Sequence, residues 1–194
     1  MNNDKIDKYL KHLTNQSEDN IKDYNILIDY LTLLYNRPKQ MLPILCLLSE
    51  KRNTGKTTFL NLLRLIFDKN FTKINLNQLG SAFNDHFVTK LIIGIDEADT
   101  STTKFFNPNN TLKELSTSTN QKLYKKHADP CDIEFYGKFV INSNNIFSFL
   151  EIDPEEKRYF ILEVPELKKD DLDPDLLEKM EEEIPAFLYF LKNR

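Results

Sequence analysis

The chain has 194 residues, 40% of them hydrophobic and 29% charged, with a net charge of −4, which suits one domain with a sizeable core. No apolar run is long enough to span a bilayer, the polar start Met1-Asn-Asn-Asp-Lys5 has no signal-peptide core, and Cys46 and Cys131 cannot make a disulfide framework or a Cys/His zinc cluster. The acidic balance excludes a generally basic nucleic-acid coat, so any such contact is local: residues 165–183 are strongly acidic, whereas Lys113, Lys122, Lys125 and Lys126 crowd one middle segment.

Residues 4–35 carry apolar positions at helical spacing: Ile6, Tyr9, Leu10 and Leu13, then Ile21, Tyr24, Ile26, Leu27, Tyr30, Leu31 and Leu34. They predict two helices with a break near 15–19, serving as a lid over a sheet or as an oligomerisation element. Asn36-Arg-Pro-Lys39 separates this helical segment (1–36) from a second unit (37–194). There, the apolar run 41–48 predicts a strand and the pattern over 57–67 a helix. Residues 71–76 read as a short second strand and 76–87 as a mixed helical segment. The run Leu91-Ile-Ile-Gly-Ile95 reads as a strand buried on both faces, as in a parallel sheet. After a loop over 99–110, Thr111 with Glu114 three residues on predicts a capped helix start. The extended runs 121–124 and 133–136 flank Lys125-Lys-His-Ala-Asp-Pro130, a β-hairpin with a basic tip. Residues 137–145 form another buried strand, 158–165 a last strand, and 174–193 a helix with the apolar face Ile184, Phe187, Leu188, Phe190 and Leu191. The expected architecture is a doubly wound α/β core (40–165) whose mostly parallel central sheet is flanked by helices, with a β-hairpin insertion and helical termini. Cys46 falls inside the first strand, so a buried reduced thiol and a cytosolic setting are expected.

The richest chemistry lies in Leu47-Leu-Ser-Glu-Lys-Arg-Asn-Thr-Gly-Lys-Thr-Thr-Phe-Leu60. Between a strand and a helix, the amides of Asn53, Thr54, Gly55 and Lys56 can wrap a β-phosphate, and Thr57 and Thr58 open the helix whose positive end faces it. Lys56 would reach the β- and γ-phosphates, and the Thr57 hydroxyl would complete the shell of a Mg²⁺ ion. The usual pattern has a glycine five residues before Gly55, where this chain has Glu50, so the start of the loop must be built differently. The second motif, Gly94-Ile-Asp-Glu-Ala98, ends a buried strand in two carboxylates at the edge where open α/β sheets place ligands. Asp96 would hold Mg²⁺, directly or through water, and Glu97 would polarise an attacking water. Together the two motifs fit a P-loop NTPase of AAA+ type. In Asn142-Ser-Asn-Asn145, Asn144 is the candidate to hold the water or contact the γ-phosphate. Arg158 either reaches a neighbouring subunit's nucleotide or forms a surface ion pair with Glu155 or Glu156.

Taken in this order, the motifs resemble those of the superfamily 3 helicases, especially the AAA+ helicase domain of phage- and plasmid-type primase-helicases. Residues 49–60 correspond to motif A, 91–98 to motif B, 112–126 to the B′ region, 139–145 to motif C and 155–160 to the arginine-finger region. The resemblance implies an ATP- and Mg²⁺-dependent ring, usually hexameric, that hydrolyses ATP between subunits and moves along single-stranded DNA in the cytoplasm of a bacterial or phage-infected cell. It implies catalytic roles for Lys56 and Glu97, a sensor role for Asn144 and a finger supplied in trans by Arg158. Lys125, Lys126 and His127 would form the hairpin tip that tracks the DNA backbone, Lys126 foremost. Two features depart from the family: Glu50 replaces the first loop glycine, and residues 1–36 contain no primase or origin-binding domain. The chain is therefore expected to be an excised helicase fragment or a stand-alone helicase with a separate primase partner. A different class, an AAA+ assembly module that binds ATP and recruits replication partners without unwinding, is the alternative. A P-loop small-molecule kinase would want several arginines over the phosphates, and the arginines here are few: Arg37, Arg52, Arg64, Arg158 and Arg194.

Overall fold

The buried apolar runs become the parallel strands of one sheet. The computed structural model describes residues 3–15, 21–96, 107–144, 156–168 and 171–194. Strands β1 (Ile44–Leu48), β2 (Phe71–Ile74), β3 (Ile92–Ile95), β6 (Lys138–Ser143) and β7 (Tyr159–Glu163) stand in the order β2-β3-β6-β1-β7, every neighbouring pair parallel. All residues of β1, β3 and β6 are buried, which follows from layers on both faces of the sheet. β6 lies between β1 and β3, and its register sets Cys46 beside Ile141 and Ile141 beside Ile95.

Alternation along β1 divides the core in two. Leu45 and Leu47 face one cluster, formed with helices α1 (Asp4–Leu13), α2 (Ile21–Asn36), α3 (Lys56–Phe67) and α6 (Leu176–Asn193). Ile44, Cys46 and Leu48 face the other, with α4 (Asp85–Val88), α5 (Pro108–Thr117), the 3₁₀ turn Leu76–Gly80 and the hairpin of β4 (Asn120–Leu123) and β5 (Cys131–Glu134). Burial pushes the Cys46 thiol well above its ordinary pKa, so it stays protonated, and both cysteines are free. Among the described residues no helix is long and apolar enough to cross a membrane.

Several boundaries differ from expectation for local reasons. Helix α5 starts at Pro108, not after Thr111: the Asn107 side chain accepts from the Asn109 and Asn110 amides at 3.0 and 3.2 Å, and Pro108 occupies the first turn. The hairpin strands begin one and two residues earlier than predicted; the Phe135 amide still donates to the Thr119 carbonyl at 2.8 Å while its side chain enters the core. Helix α6 continues through Pro185, a residue that removes one helical hydrogen bond, because Met180, Ala186, Phe187 and Leu191 anchor it on both sides. The N-terminal helices pack with α3 and α6 against the sheet, and the Glu183 carboxylate of α6 accepts from the Lys5 and Ile6 amides at 2.8 and 3.1 Å. That carboxylate satisfies two of the amides that open α1.

Candidate functional site

Because the five strands are parallel, their carboxyl ends share one edge, where Leu48, Ile95 and Ser143 each lead into a polar residue. Out of β1, the Ser49 amide donates to the Ser143 carbonyl at 3.1 Å, so the loop starts by crossing onto β6. Two loop residues are left-handed, Asn53 with φ 57° and Gly55 with φ 90°. Glu50 has no positive φ, so the turn demands a glycine-like conformation at Asn53 instead. A Cβ on Gly55 would also stand 3.2 Å from the Tyr9 ring. Helix α3 begins at the next residue, and among the described residues the amides of Thr54, Gly55, Lys56 and Thr57 donate to no protein group.

These amides border a cavity of about 440 Å³ lined by Arg52, Asn53, Thr54, Gly55, Lys56, Thr57, Thr58, Asp96, Asn142, Ser143 and Asn144. Every loop residue singled out in the sequence is thus brought to one place with Asp96 and Asn144. The Lys56 side chain is 7% exposed residue-wide and donates to the Thr54 hydroxyl at 3.1 Å. Burial lowers its pKa, and the Asp96 carboxylate works against that fall. Burial alone would raise Asp96; the Lys73 and Asn142 hydrogen bonds, the Lys73 charge and Thr57 outweigh it and hold the carboxyl below its usual range.

Asp96 is the hub of the cluster. Its oxygens lie 3.4 Å from the Thr57 hydroxyl, 2.6 Å from the Lys73 ammonium and 3.1 Å from the Asn142 amide nitrogen. Neighbouring oxygens around an octahedral Mg²⁺ at ~2.1 Å sit roughly 3 Å apart, so Thr57 and Asp96 are close to the spacing that one such ion needs. The unpaired loop amides and the buried Lys56 ammonium fit a polyphosphate beside it. The Asn142 amide oxygen is buried with no partner among the described residues, which is the kind of polar atom a ligand or its water would satisfy. The residues present therefore fit a nucleotide with a divalent cation.

Sequence reasoning missed Asn142 and Lys73. Asn142 sits inside β6, two residues before Asn144, which follows the strand, and the β3–β6 register that pairs Ile95 with Ile141 carries Asn142 to Asp96. Its signal was an amide inside an apolar strand core. Lys73 comes from the exposed end of β2, and only the sheet order brings it near. Asn144 lines the cavity and is exposed. Glu97 lies outside the described residues.

Arg158 stands elsewhere. It precedes β7 at the amino edge of the sheet, about 17 Å along the five-residue strand from the carboxyl edge where its own chain's cavity opens. Its guanidinium lies 3.5 Å from Glu156, which also meets Lys113 at 3.1 Å. The Lys113 hydrogen bond foremost, with the Arg158 amide and charge, holds the Glu156 carboxyl below its ordinary range.

The hairpin has Lys125, Lys126 and His127 exposed at its tip, with His127 left-handed at φ 60°. Asn84 clamps its base: the side chain accepts from the Tyr124 amide at 2.8 Å and donates to the Lys122 carbonyl at 2.8 Å. The clamp sets two exposed aromatic residues, Phe83 and Tyr124, next to the basic tip. An exposed aromatic in the polar run Ser81-Ala-Phe-Asn84 was the available signal for Phe83.

A family model described as "Family of unknown function (DUF5906)" matches residues 47–158. Among solved structures, an apo structure of the NrS-1 C-terminal region is similar with a TM-score of 0.85 and 20% identity, covering 98% of this chain and 46% of that one. Two A-form apo structures of the same region match with TM-scores of 0.79 and 0.82, at 20% and 21% identity, over 97% of this chain and 44% and 45% of theirs. The similarity shows a shared fold that includes both helical ends, and the chain spans less than half the length of those structures. No curated protein matches the chain.

Proposed function

The chain belongs to the DUF5906 family, whose function is unknown, and we propose that it is the ATP-hydrolysing P-loop domain, of AAA+ type, of a DNA helicase or translocase that replicates a phage or other mobile element. The observation that carries the proposal is the convergence of Lys56, Thr57, Asp96 and Asn142 on one cavity at the start of α3. The superfamily 3 resemblance supplies the partner class, single-stranded DNA, and the fold shared with the NrS-1 C-terminal region is compatible with it.

In this reading the amides of residues 54–57 receive the β-phosphate and Lys56 neutralises charge spreading toward the γ-phosphate. Thr57 and Asp96 would hold Mg²⁺, which would offset negative charge on the phosphates. Asn142 orients Asp96, and Asn144, at the rim, positions the attacking water whose proton Glu97 accepts. Arg158 serves a neighbouring subunit of a hexameric ring; its place at the amino edge, far from its own cavity, supports that assignment. Lys125, Lys126 and His127 follow the DNA backbone, with Phe83 and Tyr124 offering faces on which bases stack. A primase, carried in a longer chain or recruited separately, completes the machine.

The alternative, an ATP-dependent assembly module, draws support from the Glu156–Arg158 pair, which occupies the finger within its own chain. Steady-state ATP hydrolysis with and without single-stranded DNA, with oligomeric state recorded on the same sample, separates the two. The motor reading expects turnover that rises with DNA and vanishes in Lys56→Ala. Nucleotide-dependent association without turnover selects the assembly module, and no nucleotide binding at all overturns both.

A further inference from the structure

The loop around the cavity is held from behind by groups that no loop motif contains. The Tyr9 hydroxyl of α1 donates to the Gly55 carbonyl at 2.8 Å. One helical turn along, His12 Nε2 donates to the Thr54 carbonyl at 3.0 Å. On the other side, the Leu167 amide makes a longer contact, 3.4 Å, with the Asn53 carbonyl. Three successive carbonyls of the loop are therefore each engaged from outside it.

A trans peptide unit is planar, and its N–H points opposite to its C=O. There are no cis bonds among the described residues. Fixing the carbonyls of Asn53, Thr54 and Gly55 outward thus fixes the amides of Thr54, Gly55 and Lys56 inward, and these are amides that lack a protein partner. Such a row of inward N–H groups forms an anion-binding nest, and ordering it before the ligand arrives removes an entropic cost of binding. The anchors are themselves rigid. Tyr9 is buried, with its ring 3.2 Å from the position of a Gly55 Cβ. Through Glu183, helix α1 is tied at its start to α6, and Leu10 and Leu13 bury its inner face.

We propose that Tyr9 and His12 are positioning residues for the phosphate loop, acting through the Gly55 and Thr54 carbonyls, so that the N-terminal helix is a working part of the nucleotide site. The proposal rests on the reading of the cavity as a nucleotide site. It assigns α1 a task other than a lid or an oligomerisation element, and it gives glycine at 55 a second reason besides its left-handed φ: a Cβ there would press on the ring that holds the loop.

The test uses the full chain with Mg·ADP as probe, measuring affinity by calorimetry and thermal melting without and with the nucleotide. Tyr9→Phe keeps the ring and deletes only the hydroxyl, and His12→Ala deletes the donor at a half-buried position. Each is expected to weaken Mg·ADP about three- to tenfold, the range for one lost hydrogen bond, while the nucleotide-free melting temperature stays near wild type. His12→Gln, which restores an N–H donor, recovers most of the lost affinity; a role in general stability would not give that recovery. If Tyr9→Phe also melts early, the His12→Ala and His12→Gln pair decides. Wild-type-like affinity in both deletions, with wild type binding Mg·ADP, overturns the positioning role and leaves the nucleotide site standing. Absence of Mg·ADP binding by wild type overturns the nucleotide site, and the positioning role with it.

Discussion

Lys56 and Lys138 are buried at opposite edges of the same sheet, 7% and 4% exposed, and burial lowers the pKa of each. Their surroundings differ. At the amino edge the Lys138 ammonium donates to two backbone carbonyls, those of Pro38 and Tyr136, and lies 5.9 Å from the centre of the Tyr136 ring. At the carboxyl edge Lys56 donates to one hydroxyl and faces a cavity bordered by free amides. One charge closes a structure by satisfying groups that would otherwise be stranded; the other has a single hydrogen-bond partner among the described residues and lines an open cavity. A buried lysine is thus not by itself a sign of function: the count of its protein partners separates the two.

Matched substitutions break this comparison most sharply. Lys56→Met is expected to reduce nucleotide affinity at least about 100-fold, since a desolvated charge on a phosphate is worth several kcal/mol. Its melting temperature without nucleotide should hold or rise, because the removed ammonium leaves no buried carbonyl stranded. Lys138→Met should bind nucleotide as wild type does, per folded molecule. Equal affinity losses from the two would erase the distinction drawn here.

The second way to sharpen it is pH. Lys138 has its pKa lowered to about 8 in the fold, against roughly 10.4 when unfolded. Between those values the unfolded chain holds more protons, so the Lys138 contribution to stability rises as pH climbs from about 8 to 10. Denaturant melts of wild type and Lys138→Met across that window should diverge, wild type gaining about 2 kcal/mol relative to the variant. A flat difference would show the ammonium to be no worse solvated inside than outside.

Asp96 gives a smaller effect. Asp96→Asn keeps the shape of the cluster but removes the charge facing Thr57 and Lys73. Wild type should bind ADP more tightly with Mg²⁺ than without, by about tenfold, and the variant should lose that difference. Retained Mg²⁺ dependence in Asp96→Asn would move the cation away from Thr57 and Asp96.

How far the site was legible follows from which contacts are local. That Asn53 to Thr58 and Asp96 meet at one sheet edge could be read because a strand–loop–helix pattern and a buried parallel strand have short, periodic signatures. The helical ends were legible by the same periodicity. The contact of Asn142 with Asp96 was not legible because it depends on the register of β6 against β3, a tertiary quantity. Lys73 needed the sheet order, and Tyr9 and His12 needed the packing of α1 against a loop far along the chain. Asn107 took the cap from Thr111 because Asn-Pro at a helix start outweighs a capping-box pattern one turn later. For Asn142, Lys73, Tyr9 and His12 the missing information was a long-range neighbour, whereas the cap at Asn107 was a local choice.

The hairpin lysines complete the comparison as a third kind. Lys125 and Lys126 are exposed, have no ion-pair partner among the described residues, and close no buried network. Their removal should therefore cost the fold almost nothing. What they can supply is attraction to a polyanion, and that term depends on salt. For a single strand the logarithm of affinity falls with the logarithm of salt concentration by roughly 0.7 per phosphate neutralised, so Lys125→Ala with Lys126→Ala should flatten the slope by about 1.4 if each lysine holds one phosphate. At physiological salt the weakening is modest, about five- to tenfold. Nucleotide affinity and melting temperature should not move, in contrast to Lys56 and Lys138, which each control one of them. Phe83→Ala serves as the complement: stacking is largely insensitive to salt, so it should weaken binding while leaving the slope intact. A double-lysine variant that bound single-stranded DNA with the wild-type slope would place the DNA elsewhere, and the basic tip would then be an ordinary solvated turn.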